Sequence, residues 1–341
     1  QRAALRAERG QGVWRFKLDH QRIEWTDGII GDVSIDAASV SDPVLIRQDG
    51  QVLYTLASVV DDTEMGVTDV VRGSDHVTYT ATLIQIIEAL GGTAPRFAHH
   101  SLLTGPHGEA LSKRLGTLAL RDLRAQGVEP MALLSHLARL GSSQPMELMT
   151  DMAALIDGFD VGQFGTAPTK FDVTDLFPLT GRYLQTLPLD AVRDLVAAAG
   201  VPDAQAEAFW TVIRDNIETL NDLEGWWAIC HDGADPVVEA EDREFVSQAM
   251  AMLPDGPFDG DTWGNWTAAV KAETGRKGRG LFMPLRLALT GQARGPEMAA
   301  LMPLLQVVKA LCSIIRRALD AAKLREEYNC KEKHQIGRSS C

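Results

Sequence analysis

The sequence predicts an α/β segment followed by an all-α segment, and three observations carry that reading. Residues 12–73 alternate apolar and polar side chains in the period-two manner of strands, with turn signals between the runs. From about residue 117 onward the apolar positions recur at helical spacing instead. Several of those later runs open on Pro or Asp and stop at Gly, as helices do.

Taken in order, GVWRFKLD, RIEWTDGIIGDVSID and DPVLIRQDGQVLYTLASVVDD read as strands rich in Val, Ile, Trp, Tyr and Thr. Asp49-Gly50, flanked by VLIRQ and QVLYTL, is a hairpin-turn signal. GVTDVVRG reads as a short buried strand, and TATLIQIIEALGG as a helix closed by glycines. Beyond 117, ALRDLRAQG, PMALLSHLARLG, PMELMTDMAALIDGF, PLDAVRDLVAAAG, PDAQAEAFWTVIRDNI, DREFVSQAMAML and DTWGNWTAAVKAE read as helices. No internal repeat or low-complexity tract interrupts them.

Composition narrows the function classes. The 341 residues are 45% hydrophobic and 23% charged, ordinary for a globular chain of two or three domains. No apolar run reaches the 18 residues of a membrane helix, and the polar start QRAALRAERGQGVW has no apolar signal-peptide core. The start on Gln1, in mid-pattern, points to a fragment. Four cysteines without a CxxC spacing fit a reducing cytosol, no structural metal is expected, and Cys230 beside His231 reads as a buried thiol. The net charge of −13 argues against non-specific nucleic-acid binding, so any such role must rest on local patches. No GxxxxGK[ST] stretch is present, which removes a P-loop ATPase.

Four stretches could carry chemistry. In GEALSKRLG, Ser112, Lys113 and Arg114 follow a Gly-rich turn and read either as a solvated charge pair or as a phosphate clamp. In DVVRGSDH, Asp69, Arg72, Asp75 and His76 cluster at the end of a parallel strand, where α/β sheets place ligands; a structural ion-pair network is the alternative. Tyr54 and the pair Asp61-Asp62 fall on the preceding strand, the acids serving a metal or, more simply, a turn or cap. The tail, residues 312–341, holds seven Lys/Arg against four Asp/Glu and three of the four cysteines. It reads as a phosphate-gripping basic helix or as a disordered, foreign-looking extension.

Joined together, VLYTLASVVDDTEMGVTDVVRGSDH, a helix, and PRFAHHSLLTGPHGEALSKRLG closely resemble the second half of the catalytic domain of bacterial glutamyl-tRNA synthetases, class I enzymes. ALSKR, residues 110–114, stands where that family has its KMSKS-type loop. The resemblance continues through GVEPMALLSHLARLGSSQP, FGTAPTKFDVTDLFPLTGRYLQTLP and GRKGRGLFMPLRLALTG, over about residues 1–310.

The resemblance implies a partial Rossmann-type catalytic domain, with part of its insertion, over residues 1–116. A stem-contact-type helical linker would follow at 117–185, a helical anticodon-binding domain at 186–310, and an atypical tail at 311–341. It implies ATP-dependent activation of glutamate and transfer to tRNA(Glu), with Mg2+ arriving on the ATP, in the cytoplasm and as a monomer when full length. By position, Lys113 and Ser112 would be catalytic, and Lys113, Arg114, Asp75 and His76 would bind ATP. Tyr54 and Arg72 would hold the glutamate, and Arg276, Lys277 and Arg279 of GRKGRG would contact tRNA unless that loop is merely solvated. The family's HIGH-type motif is absent from the sequence, and Tyr79 and Leu83 stand where the family shows Asn and a polar residue. The expectation is a chain that derives from such an enzyme but forms no adenylate alone, exposing a strand edge and an apolar face. A tRNA- or protein-binding helical module without catalysis is the other reading.

Overall fold

A computed structural model of the chain describes residues 4, 12–109, 111 and 119–306. Its backbone clusters into two compact units, one of residues 1–118 and 133–173, the other of 119–132 and 174–341.

In the first unit, β1 (Trp14–Arg15) pairs antiparallel with β4 (Val44–Ile46), and β2 (Arg22–Asp27) with β3 (Gly31–Asp36). The second pair is the hairpin that RIEWTDGIIGDVSID predicts, its strands burying Ile23 while the polar faces stay exposed. The Asp49-Gly50 turn also forms. Arg47 donates to the Gln51 carbonyl, Gly50 takes φ 87°, and Ile46 and Val52 make a single antiparallel bridge.

The chain after that turn departs from the strand reading. Tyr54–Met65 is a helix, α1, stopped by Gly66 at φ 68°. Its β-branched residues imitate a strand in sequence, but Thr55 and Val59 lie four apart and are the buried side chains, so the apolar stripe follows a helix. Tyr54, Asp61 and Asp62 therefore sit on α1, not on a strand.

β5 (Asp69–Gly73), α2 (Val77–Ala89) and β6 (Arg96–His100) form the expected strand–helix–strand unit, with β5 and β6 parallel. Residues Thr80 to Ile87 of α2 are all buried, and Gly91 at φ 80° follows the helix end. Among the described residues β5 has no ladder partner on its outer edge, and Val71 on it is exposed. The apolar packing of this unit comes in two small groups. Ile23, Ala37, Ala81, Ile84 and Phe97 form one, and Val59, Leu83, Ile86 and Ile87 form the other. The short parallel pair β7 (Leu103–Thr104) and β8 (Thr169–Lys170) completes its strands.

The rest is helical. α3 (Leu120–Ala125) and α4 (Pro130–Arg139) follow, then α5, which occupies only Met152–Asp157 of the longer periodic run PMELMTDMAALIDGF. The second unit continues with α6 (Leu176–Thr186), α7 (Leu189–Ala198), α8 (Asp203–Ile213), α9 (Asp222–His231), α10 (Arg243–Ala251), α11 (Thr262–Thr274), α12 (Arg279–Thr290) and α13 (Met298–Leu301). One continuous apolar core runs through α6 to α13, with Phe209, Trp210, Ile213, Leu285 and Leu289 essentially inaccessible. Among the described residues no helix is long and apolar enough to cross a membrane.

Candidate active site

Arg72 is the penultimate residue of β5, and parallel register sets it opposite His99 on β6. Its guanidinium lies over the Phe97 ring, 5.5 Å from the centroid. Nε donates to His99 Nε2 at 3.2 Å, and Nη2 donates to Thr80 Oγ1 and, at 3.5 Å, to the His76 carbonyl. Half-burial pulls the Arg72 pKa below its ordinary value, while Tyr54 and Asp62 lead the nearby groups that pull it back up. Nη1 has no hydrogen-bond partner among the described residues.

α1 brings a second wall. Tyr54, Ser58 and Asp62, spaced four apart, line a cleft of about 340 Å³ together with Arg72 and Phe97. Tyr54 heads the helix and is 68% exposed, so its phenol reaches solvent at the cleft. The wall is fixed by α2: Leu83 packs with Val59 in the small apolar group, and the Tyr79 hydroxyl hydrogen-bonds Thr55 Oγ1. Tyr79 and Leu83 thus serve the packing that holds α1.

Asp75 and His76 lie in the 3-10 turn Ser74–His76 directly after β5, with Asp75 Oδ2 and His76 Nε2 3.7 Å apart. Both side chains are about half exposed, so their polar atoms meet solvent beside the end of the strand. Ser112, Lys113 and Arg114 lie outside the described residues, as does the tail 311–341.

Three further residues of this region carry no sequence motif. Asp27 closes β2, and its carboxylate accepts the backbone N–H groups of Ile29 at 3.0 Å, Ile30 at 3.2 Å and His99 at 3.0 Å. Its other oxygen faces His99 Nδ1 at 2.5 Å, and His99 Nε2 lies 3.0 Å from Thr80 Oγ1. Burial would raise the Asp27 pKa, but the hydrogen bonds from the His99 side chain and the His99, Ile29 and Ile30 amides outweigh it and hold it at about 2. The next residue is closely faced, since a Cβ on Gly28 would stand 3.2 Å from that of Ala98. The adjacent histidines of FAHH and the Asp-Gly after β2 were the available signals. Neither has meaning before the strand register is known.

In the second unit, the GRKGRG loop joins α11 to α12 through Gly275 at φ 70° and Gly278 at φ 58°. Arg276 is only partly exposed and is engaged by the protein: it pairs with Asp242, lies 4.1 Å over the Phe245 ring, and donates at 3.3 Å to the Gly280 carbonyl. That carbonyl lacks its usual helical donor because Pro284, four residues on, has no N–H. Lys277 and Arg279 are exposed. Cys230 is buried and its thiol is pushed up to about 12 by burial, so it is the inert core residue the sequence suggested.

A parallel strand pair with polar residues at its carboxyl end, preceding a helical bundle, fits a class I tRNA synthetase. The family described as tRNA synthetases class I (E and Q), catalytic domain, matches residues 2–177, and an anticodon binding domain family matches 189–311. Glutamate–tRNA ligase 1 of Ruegeria pomeroyi is 75% identical over 310 residues, covering 91% of this chain and 70% of that protein. Glutamate–tRNA ligase 1 of Roseobacter denitrificans is 74% identical over 307 residues, covering 90% and 70%. A crystal structure of a glutamate–tRNA ligase from Elizabethkingia meningosepticum in complex with its amino acid superposes with a TM-score of 0.73 at 25% identity, over 93% of this chain and 70% of that one. The chain belongs to the glutamate–tRNA ligase family of class I aminoacyl-tRNA synthetases.

Proposed function

We propose that this chain supplies the glutamate pocket, the ATP-phosphate loop and the anticodon-binding half of an enzyme that activates glutamate with ATP and transfers it to tRNA(Glu). The observation that carries the reading is the shared cleft of Tyr54 and Arg72. The exposed edge of a half-buried, always-charged guanidinium suits a carboxylate, which it meets with planar donors. The same cleft carries two carboxylates, Asp62 and Asp69, and Asp69 is paired with Arg96, which leaves Asp62 as the anion to meet the ammonium of an amino acid whose further carboxylate Arg72 holds.

Asp75 and His76, at the end of β5, lie beside the place assigned to the nucleotide. Lys113, with Ser112 and Arg114 beside it, binds the ATP phosphates and stabilises the charge that grows as pyrophosphate leaves, which is electrostatic rather than acid–base catalysis. Mg2+ arrives with the ATP. In the helical unit Lys277 and Arg279 contact the tRNA backbone, and Arg276 holds their loop in shape. The enzyme works in the cytoplasm as a monomer.

The 341 residues contain no H-x-G-H stretch and span 70% of the length of the two ligases compared. Purified alone, the chain is expected to bind tRNA(Glu) in a salt-dependent way and to give no pyrophosphate exchange with glutamate and ATP. Robust exchange would overturn its assignment as an incomplete catalyst. Glutamate binding that is indifferent to Arg72→Gln would overturn the pocket.

A further inference from the structure

Asp27, His99 and Thr80 are buried polar groups that the glutamate reading leaves unused, and all three converge on Arg72. His99 is fully inaccessible and Asp27 is 3% exposed. Polar groups are placed so deep only when their hydrogen bonds are satisfied, and here each bond constrains the next.

The protonation pattern follows from the donors. Arg72 Nε carries a hydrogen and no lone pair, so at 3.2 Å from His99 Nε2 it requires that nitrogen to accept. The ring proton then sits on Nδ1, where Asp27 Oδ2 receives it at 2.5 Å. Asp27 is locked in turn, because its Oδ1 accepts three backbone N–H groups. Thr80 receives Nη2 of Arg72 and closes the ring of contacts. The chain of polar atoms therefore runs from a carboxylate on β2, through a neutral imidazole on β6, to the guanidinium on β5. It terminates on Nε and Nη2 and leaves Nη1 over for a ligand.

We propose that Asp27 and His99 are positioning residues: by fixing the imidazole tautomer they fix the Arg72 guanidinium, and through it the affinity for a carboxylate-bearing amino acid. The second clause rests on the reading of Arg72 given above. A purely structural Asp–His pair would tie β2 to β6 equally well, but it would have no use for a particular tautomer at Nε2.

The test is Asp27→Asn in the 341-residue chain. The amide keeps the shape and an oxygen for the three backbone donors, but its NH2 faces His99 Nδ1. That forces the ring proton onto Nε2, where it confronts the Arg72 Nε–H, donor against donor. Long-range 1H–15N spectra should show the neutral Nδ1–H tautomer of His99 in the parent and the Nε2–H tautomer in the variant. The Arg72 Nε–H resonance should lose its slow solvent exchange. Glutamate affinity, by calorimetry, should fall at least tenfold while tRNA affinity is unchanged. His99→Gln, which retains an acceptor for Arg72, should restore part of what His99→Leu loses.

An Nε2–H tautomer in the parent, or a variant whose Arg72 resonance is undisturbed, overturns the proposal. If the spectra change as expected but Arg72→Gln binds glutamate normally, the relay stands and the carboxylate reading of Arg72 falls. If Asp27→Asn fails to fold, the parent's His99 tautomer is read alone, and the Arg72 Nε–H exchange and glutamate affinity are compared between His99→Gln and His99→Leu: equal losses in the two overturn the proposal.

Discussion

The two units are stabilised in opposite ways. The helical unit has one apolar core reaching from Leu184 to Leu305, with Phe209, Trp210 and Leu285 near its middle. The α/β unit has two small apolar groups and fills the space between its strands with polar contacts. Gln85 exchanges two hydrogen bonds with the Asp19 backbone, Asp42 accepts from the Leu18 amide, and Asp27 anchors β2 to β6. A large apolar core is tolerant of pH and of surface change, whereas a hydrogen-bonded polar interior is specific, directional and sensitive to a single proton. Arg72, whose guanidinium is gripped by His99 and Thr80, lies in the unit built on the second principle.

Substitutions can break that contrast in decreasing order of effect. Trp210→Ala empties the helical core and removes the indole hydrogen bond to the Leu187 carbonyl, at an expected cost of about 3–5 kcal/mol. Thermal or denaturant unfolding followed by hydrogen exchange should find that loss in residues 174–306 and spare β2, β5 and β6.

Acid should do the reverse. Asp27 titrates at about 2 when folded against 3.8 for the free side chain, so its contribution is fully present above pH 3.8 and is lost as the pH falls toward 2. That gap is worth about 2 kcal/mol, confined to the α/β unit. Unfolding curves at stepwise pH should show the loss in the parent and a flatter dependence in Asp27→Asn.

Arg276 lies between these extremes. Arg276→Ala deletes the contact over Phe245 and the donor to the Gly280 carbonyl, for about 1–2 kcal/mol of the helical unit's stability. Lys277→Ala and Arg279→Ala should leave the melting temperature alone. Each should lower the slope of log affinity for tRNA against log salt by about 1. A drop in melting temperature with either would mean the loop is held by all three cations. The smallest effect belongs to Arg193, whose pairs with Asp190 and Asp203 are exposed. Arg193→Gln should change stability by less than about 1 kcal/mol, within reach of a careful denaturant titration.

Much of this architecture could be read before any coordinates. The β2–β3 hairpin, the β5–α2–β6 unit and the Pro- or Asp-initiated helices announce themselves through period and punctuation. Residues 54–65 did not: Val59, Val60 and Thr63 favour a strand locally, and packing against Leu83 and Ile87 decides for a helix. The site divides the same way. Tyr54 and Arg72 stand in recognisable motifs and do meet in one cleft. Asp27 and His99 are 72 residues apart and become neighbours only when β2 lies beside β6, a register that no local pattern encodes. Arg276 sits in a basic run that reads as a nucleic-acid patch, yet its guanidinium is drawn inward by Asp242, a partner 34 positions away.

The proline of α12 has a consequence for how that helix comes into being. With Pro284 unable to bond the Gly280 carbonyl, the first turns of residues 279–290 cannot complete themselves by local bonding alone. The missing donor is Arg276, and Arg276 is in place only when Asp242 and Phe245 have come alongside. The start of α12 thus draws one of its bonds from a side chain that Asp242 and Phe245 hold in place. A free peptide of residues 276–291 should stay largely unstructured at its amino end, and the exposed Lys277 and Arg279 acquire a fixed spacing only after the bundle has closed.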